Sequence, residues 1–326
     1  MKTIHTAIET YITQHSLIKR DDTIVIGLSG GPDSVFLLHM LSMLQQKYNL
    51  TLIAAHLNHE WRSEANAEEQ LCRTLTQKLN ISFVSTKMSS LPTTIKKYNG
   101  SKEEFARNMR RQFLENVAHE HNAHHIALGH HAQDQQETFF IRLIRGTSLA
   151  GLTAMQPKSG LYIRPLLETN KSDILDWLDE NNITYAIDAS NQSQNYLRNR
   201  IRSTVLPALA ACDDRWNNNF FATLNRITQD DALLDEIALT TLNNLISVTD
   251  GQKTLNTLQF ATTHPSLHHR IILQWLIQNN VQFPTSQAFL DEIIRFLCNP
   301  HGGTHAIHEQ WSIIKKQNKA FIKHNH

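Results

Sequence analysis

Apolar residues in the first two thirds of the chain switch repeatedly between two periods. Ile4, Ile8, Tyr11, Ile12 and Leu17 recur at helical spacing and predict a helix within residues 1–20. Thr23 to Leu28 is a short run rich in β-branched residues, of strand length, and Val35, Leu38, Leu41 and Leu44 then return to helical spacing without Gly or Pro. The alternation continues with strands at 50–57, 81–86 and 125–128 and helices at 64–79, 102–121 and 133–144. Such a succession predicts an α/β domain on a parallel, doubly wound sheet, whose ligands lie outside the carboxyl ends of the strands. A Gly-rich loop at 145–155 and a strand, turn and helix over 162–182 follow.

Beyond a composition shift at 211–219 the pattern becomes mainly helical. Residues 220–246 predict a long amphipathic helix with Ile227, Leu234, Ile237 and Leu245 inward, and 268–278 and 287–297 predict two more. The tail alternates and turns at Gln317 to Lys319, as a terminal hairpin would, with Lys315, Lys316, Lys319 and Lys323 as its basic rim. Two domains are expected: 1–212, and a smaller helical domain, 213–326, ending in a short antiparallel sheet. The second carries no catalytic constellation and reads as a substrate-docking domain.

Three motifs follow predicted strands and so share one sheet edge: SGGPDS at 29–34, HLNHEWR at 56–62 and GHHAQDQQET at 129–138. In the first, Gly30 and Gly31 allow a close ligand approach and a concave run of backbone N–H groups at a helix start. Ser29 and Ser34 add hydroxyl donors, and Pro32 pre-sets the first helical turn. The arrangement suits a phosphate. A carboxylate in such a cradle, Asp33, requires a cation beside it, and Mg²⁺ is the first inference. The loop has neither the lysine nor the spacing of a P-loop.

In the third motif His130, Asp134 and Glu137 fall at i, i+4 and i+7, on one face of a helix that begins early enough. With His131 they can ligate a metal or act as acid and base; equally, Gln133 or Asp134 can cap the helix, with Glu137 closing a capping box. Arg107 can pair with Glu104 on a helix surface or act in the site. Arg198, Arg200 and Arg202, beside Tyr196, can clamp phosphate or sugar, or can line a solvated helix face.

Composition narrows the class. With 40% hydrophobic and 19% charged residues the chain is globular, and the absence of a long apolar stretch predicts a soluble, cytoplasmic protein. Cys72, Cys212 and Cys298 form no CxxC pair, which argues against zinc or iron–sulfur sites of common spacing. A net charge of +1 excludes a broadly basic surface, so any RNA contact must come from local patches.

SGGPDS resembles the PP-loop of the ATP pyrophosphatase superfamily, which cleaves ATP between the α and β phosphates. Taken with HLNHEWRSEA, EEFARNMRRQFL, GHHAQDQQET, RGTSLAGLTAM, IRPLL followed by Lys171, and DASN with RNRIR, it is similar to the tRNA(Ile)-lysidine synthetase branch of that superfamily. The resemblance runs from residue 29 to 207. It implies an adenine nucleotide alpha hydrolase-like fold and a ligase that uses ATP and Mg²⁺. Such an enzyme adenylates the C2 oxygen of the wobble cytidine of a tRNA(Ile) with a CAU anticodon, releasing pyrophosphate, and then joins L-lysine to C2, releasing AMP. On this reading Ser29, Gly30, Gly31, Pro32, Asp33, Ser34, Ala54 and His56 bind ATP, and Asp33 holds the metal. Asp33, Asp134, Arg107 and His131 are catalytic, Asp134 and Glu137 bind lysine, and Arg145, Arg164, Arg198, Arg200 and Arg202 bind tRNA. Gln133 stands where family members often carry Asp, and Arg111 where an aromatic residue is usual. The oligomeric state stays open, a homodimer included. The alternatives are another PP-loop tRNA-modifying enzyme of the thiolase type, a small-molecule amidating ligase, disfavoured because the chain shows no ammonia source, and a non-catalytic nucleotide- or RNA-binding protein.

Overall fold

The computed structural model describes residues 3–61, 64–91, 102–187, 196–249, 252–283, 286–308 and 310–325. Arg62 of HLNHEWR and the DASN stretch at 188–191 lie outside the described residues. The chain divides into two compact units, Met1–Thr223 and Leu224–His326.

The first unit contains, in order, α1 (Ile4–Gln14), β1 (Thr23–Gly27), α2 (Pro32–Tyr48), β2 (Thr51–Asn58), α3 (Ala65–Lys78), β3 (Ser82–Lys87), α4 (Lys102–Glu120), β4 (His125–Ala127), α5 (Ala132–Arg145), α6 (Leu149–Leu152), β5 (Lys158–Ser159), β6 (Tyr162–Ile163), α7 (Lys171–Glu180), α8 (Leu197–Arg200) and α9 (Leu206–Cys212). One π turn, Ile201–Val205, joins the last two. The sheet order is β3-β2-β1-β4-β6-β5, parallel except for the short β5 against β6. The strands are thus doubly wound, as the alternation predicts.

Alternating side chains build a core on each face. Ile24 and Ile26 of β1 pack with α1, α2, α3 and α7, whereas Val25 packs with Met109, Phe113, Leu114 and Val117 of α4. Buried between sheet and outer helices, α2 is apolar nearly all round, from Val35 and Phe36 to Leu44. Chain order proceeds outward from β1 through β2 to β3, then returns to place β4 on the other side of β1. The gap between β1 and β4 is the switch point, where such sheets bind ligands. SGGPDS follows one of these strands and GHHAQDQQET the other.

The first unit runs past the expected boundary at 212. Trp216, Phe220 and Phe221 form a ring cluster with Phe139 and Phe140 of α5, and Asn217 bonds both Gln136 and Asn170. Residues 145–155 are not all loop, since α6 forms one turn there.

The helix α10 (Trp216–Leu245) contributes to both units. The rest of the second unit is β7 (Ile246–Thr249), β8 (Gln252–Asn256), α11 (Thr257–Thr262), α12 (Pro265–Gln278), α13 (Gln287–Cys298), β9 (Gly303–His308), β10 (Trp311–Lys316) and β11 (Lys319–His324). The terminal hairpin forms as expected, but within a five-stranded antiparallel sheet, β7-β8-β11-β10-β9, over Phe260, Trp275, Ile293 and Leu297. Two expectations fail here. Ile237 is exposed, because the inward stripe of α10 in this unit is Leu224, Ala238, Leu242 and Leu245. Lys315 is buried and leaves the basic rim: its Nζ donates to the Leu297 carbonyl at 2.6 Å and to that of Asn299, closing the end of α13. Burial pushes its ammonium below the usual lysine range. Among the described residues no helix is long and apolar enough to cross a membrane.

Candidate active site

The loop after β1 is held open by its own hydroxyls. Ser34 Oγ accepts from the Ser29 N–H at 3.1 Å, lies 3.1 Å from Ser29 Oγ, and donates to the Gly31 carbonyl at 2.9 Å. Gly30 has φ +86°, which strains any L side chain, and its carbonyl accepts from the Ala186 N–H at 2.8 Å. Gly31 is the N-cap of α2 and Pro32 opens the helix, so the first-turn N–H groups point outward from a positive helix end. Gly129, after β4, packs so closely that a Cβ there would lie 2.9 Å from the Asp33 carbonyl. The two switch-point loops are therefore in direct contact.

One cation beside Asp33 is in the chain itself. Lys171 Nζ, at the start of α7, donates to Asp33 Oδ1 at 2.5 Å. Gln133 Oε1 accepts the Lys171 backbone N–H at 3.0 Å and so anchors that helix start. Residue 171 was visible in the sequence only as part of a motif, with nothing to pair it to a carboxylate 138 positions away. Replacing Lys171 with Met is expected to weaken ATP binding about tenfold, by leaving an uncompensated carboxylate in the phosphate cradle. Calorimetric titration with ATP checks this; unchanged affinity would refute the role.

His131, not Gln133 or Asp134, is the N-cap of α5, and Asp134 Oδ2 accepts its backbone N–H at 3.0 Å. His130 precedes the helix, so the i, i+4, i+7 face does not form. His131 Nε2 lies 3.7 Å from Asp33 Oδ2 and 3.5 Å from Asp134 Oδ2, standing between the two carboxylates. Asp134 Oδ1 accepts from Arg198 Nη2 at 2.7 Å. Burial raises the cost of this carboxylate's charge, but His131 and Arg198 outweigh it and hold the carboxyl below its ordinary value. Burial pushes His130 down to about 4, with Arg164, Arg198 and Arg107 acting in the same direction, so it is neutral near pH 7.

Glu137 has no exposed surface. Its oxygens accept from Arg198 Nε at 2.5 Å and Arg202 Nε at 2.6 Å. Arg198 and Arg202, from α8 and the π turn, thus hold Glu137 between them, and of that trio Arg200 is exposed and has no ion pair among the described residues. From Lys171 the ionisable side chains form a row, Lys171, Asp33, His131, Asp134, Arg198, Glu137, Arg202, with the His131 imidazole between two carboxylates. A cleft of about 550 Å³ opens beside this row, bordered by Gln133, Gln136, Arg202 and Asn217.

The remaining expected site residues spread around this centre. Ala54 is fully buried at 0% exposure, while His56 Nδ1 lies 2.9 Å from the Leu28 carbonyl beneath the loop, its pKa lowered by burial. Arg145 is exposed at the end of α5, and Arg107 is exposed on α4 with no ion pair among the described residues. Arg111 pairs with Glu115 at 2.9 Å and lies over the Tyr162 ring at 5.3 Å, so at this position a cation supplies the packing against that ring. The three cysteines are free; burial pushes Cys72 up to about 12, leaving it without thiolate reactivity. No group of three or more His, Cys, Asp or Glu side chains gathers to hold a metal among the described residues. The carboxylates beside the cradle that could hold Mg²⁺ are Asp33 and, across His131, Asp134.

A doubly wound sheet with a phosphate cradle at its switch point, beside a row of paired ionisable side chains, defines a phosphate-binding α/β protein. The chain belongs to the PP-loop family: residues 2–209, well over half of it, match the PP-loop domain. It is 32% identical over 298 residues to the tRNA(Ile)-lysidine synthase of Bacillus cereus, covering 89% of this chain and 62% of that protein. It is 36% identical over 233 residues to the tRNA(Ile)-lysidine synthase of Clostridium acetobutylicum, covering 70% and 50%. The chain thus spans between half and two thirds of the length of these relatives. Among solved structures, the U34-tRNA thiolase of Methanococcus maripaludis superposes with a TM-score of 0.58 at 20% identity, over 68% of this chain and 79% of the other, a likeness of fold.

Proposed function

We propose that the protein is an ATP-dependent ligase that joins L-lysine to the wobble cytidine of a tRNA(Ile) with a CAU anticodon. The observation that carries this reading is the short link, through His131, between a phosphate cradle and a buried acidic site. One half suits a departing pyrophosphate and the other an ammonium. The names of the relatives supply the acceptor and the amine.

In the first step the C2 oxygen of the base attacks the α-phosphate of ATP, and the bond to the β-phosphate breaks. The loop N–H groups, the two serines and Lys171 take the charge of the leaving pyrophosphate, and Arg107 offsets that of the adenylate. Mg²⁺ held by Asp33 would supply further neutralisation of the phosphates. In the second step the ε-amine of lysine attacks C2, the C2–O bond breaks, and AMP leaves carrying that oxygen. Free lysine is an ammonium ion at neutral pH, with a pKa near about 10.4, and must lose a proton first. Asp134, held ionised, binds and orients that ammonium, and His131 receives the proton. Glu137, already shared by two guanidiniums, fixes Arg198 on Asp134. The exposed Lys316, Lys319 and Lys323, with Arg145 and Arg200, serve RNA docking.

The test is direct. With ATP, Mg²⁺, labelled lysine and tRNA(Ile) bearing CAU, label is expected in the RNA, with AMP and pyrophosphate formed in equal amounts. ATP cleavage without label in the RNA would reject lysine as the amine.

A further inference from the structure

Three arginines on the α4 face of the sheet have no carboxylate partner among the described residues. Arg110 Nη2 lies 2.9 Å from His59 Nε2, just beyond β2, while Arg111 lies over Tyr162 of β6. In the sheet, β2 and β6 flank β1 and β4. Arg107, three residues before Arg110 and four before Arg111, therefore stands between them, one turn closer to the start of α4. That helix leads into β4 and runs against the strands, so its start lies toward their carboxyl edge. Arg164 follows Tyr162 by two residues, on the same side of its strand and toward the same edge.

Arg110, Arg107 and Arg164 thus form a row across the ends of four strands. Three strand spacings of about 4.8 Å make it roughly 14 Å wide. Electrostatics agrees: beyond burial, Arg107 depresses the guanidinium pKa of both Arg110 and Arg164, and neither of those acts on the other. Arg73, Arg111, Arg198, Arg202, Arg215 and Arg270 each pair with a carboxylate, whereas these three have none among the described residues. Arg164 donates through Nη1 to the Gln156 carbonyl at 2.8 Å, and its Nε is buried with no acceptor. A row of this width exceeds what a single phosphate can bridge, and the departing pyrophosphate already has its cradle.

We propose that Arg110, Arg107 and Arg164 form a track for the phosphodiester backbone of the RNA strand that carries the acceptor base. The strand passes along the α4 face while its base turns over the carboxyl edge to the cradle. Like charge keeps the lysine ammonium off this track, so amine and RNA arrive from opposite flanks. The inference rests on the proposed ligase reading.

The test uses Arg110→Gln and Arg164→Gln in the full chain, with tRNA affinity measured against salt concentration. Each change is expected to weaken binding about fivefold to tenfold and to lower the slope of log K against log salt by about one, with ATP affinity and melting temperature unchanged. Arg164→Lys should keep the slope. Unchanged slopes in both variants would overturn the track, and lost ATP affinity with unchanged slopes would assign the row to the nucleotide. Wild-type protein that binds no tRNA would overturn track and ligase together. Wild-type binding with the expected slopes but no lysine transfer would overturn the ligase reading alone.

Discussion

On the proposed ligase reading, Asp134→Asn is expected to lower lysine transfer by about a thousandfold while leaving RNA-dependent release of pyrophosphate largely intact. Asn keeps an oxygen for the His131 N–H, so the start of α5 survives, with a capping change of at most about 1 kcal/mol. What is lost is the negative charge beside His131 and Arg198, the charge proposed to bind an ammonium next to the proton acceptor. Deleting a positioned acid–base element costs about 10²–10⁴ in rate. The loss should fall on the second step, with KM for lysine raised. Separate assays of pyrophosphate release and of labelled lysine incorporation distinguish the steps; equal losses in both would remove Asp134 from amine binding.

Glu137→Gln is the second large effect, and it acts on stability. Removing one partner of a buried ion pair costs about 3–5 kcal/mol, because the other charge stays behind unpaired. Here the partners Arg198 and Arg202 keep 38% and 41% of their side-chain surface exposed, so both can partly rehydrate. The expected loss is about 2–3 kcal/mol, a fall in melting temperature of roughly 5–10 °C for a unit of this size. Thermal unfolding followed by circular dichroism measures it, and a variant melting within about 1 °C of wild type would contradict the pairing.

The parts of the site legible in the sequence are those written locally. SGGPDS declares itself because a phosphate cradle is built from consecutive backbone N–H groups, and its position between a strand run and a helical run fixes its place at the sheet edge. The alternation of periods likewise gives the doubly wound sheet. Long-range pairing is not written this way. Asp33 calls for a cation, and nothing local shows that Lys171, 138 residues away, places one on its carboxylate. Arg198 and Arg202 looked like an RNA clamp because no local carboxylate claims them, yet Glu137, 61 and 65 residues back, does so. Lys315 alternates correctly for a strand but points inward, where two helix-end carbonyls need a donor. In α10 the large side chains suggested a face through Ile237, while Ala238, where the helix packs closely, marks the true one.

The row from Lys171 to Arg202 has a consequence for how this chain can vary. Each interior charge serves two neighbours, so a single substitution strands the group on either side of it, and effects at adjacent positions will not add. Arg202 can change cheaply only once Glu137 has changed, and Lys171 only with Asp33. The site is therefore inherited as a set: a lineage drifts away from it in paired steps or keeps it whole.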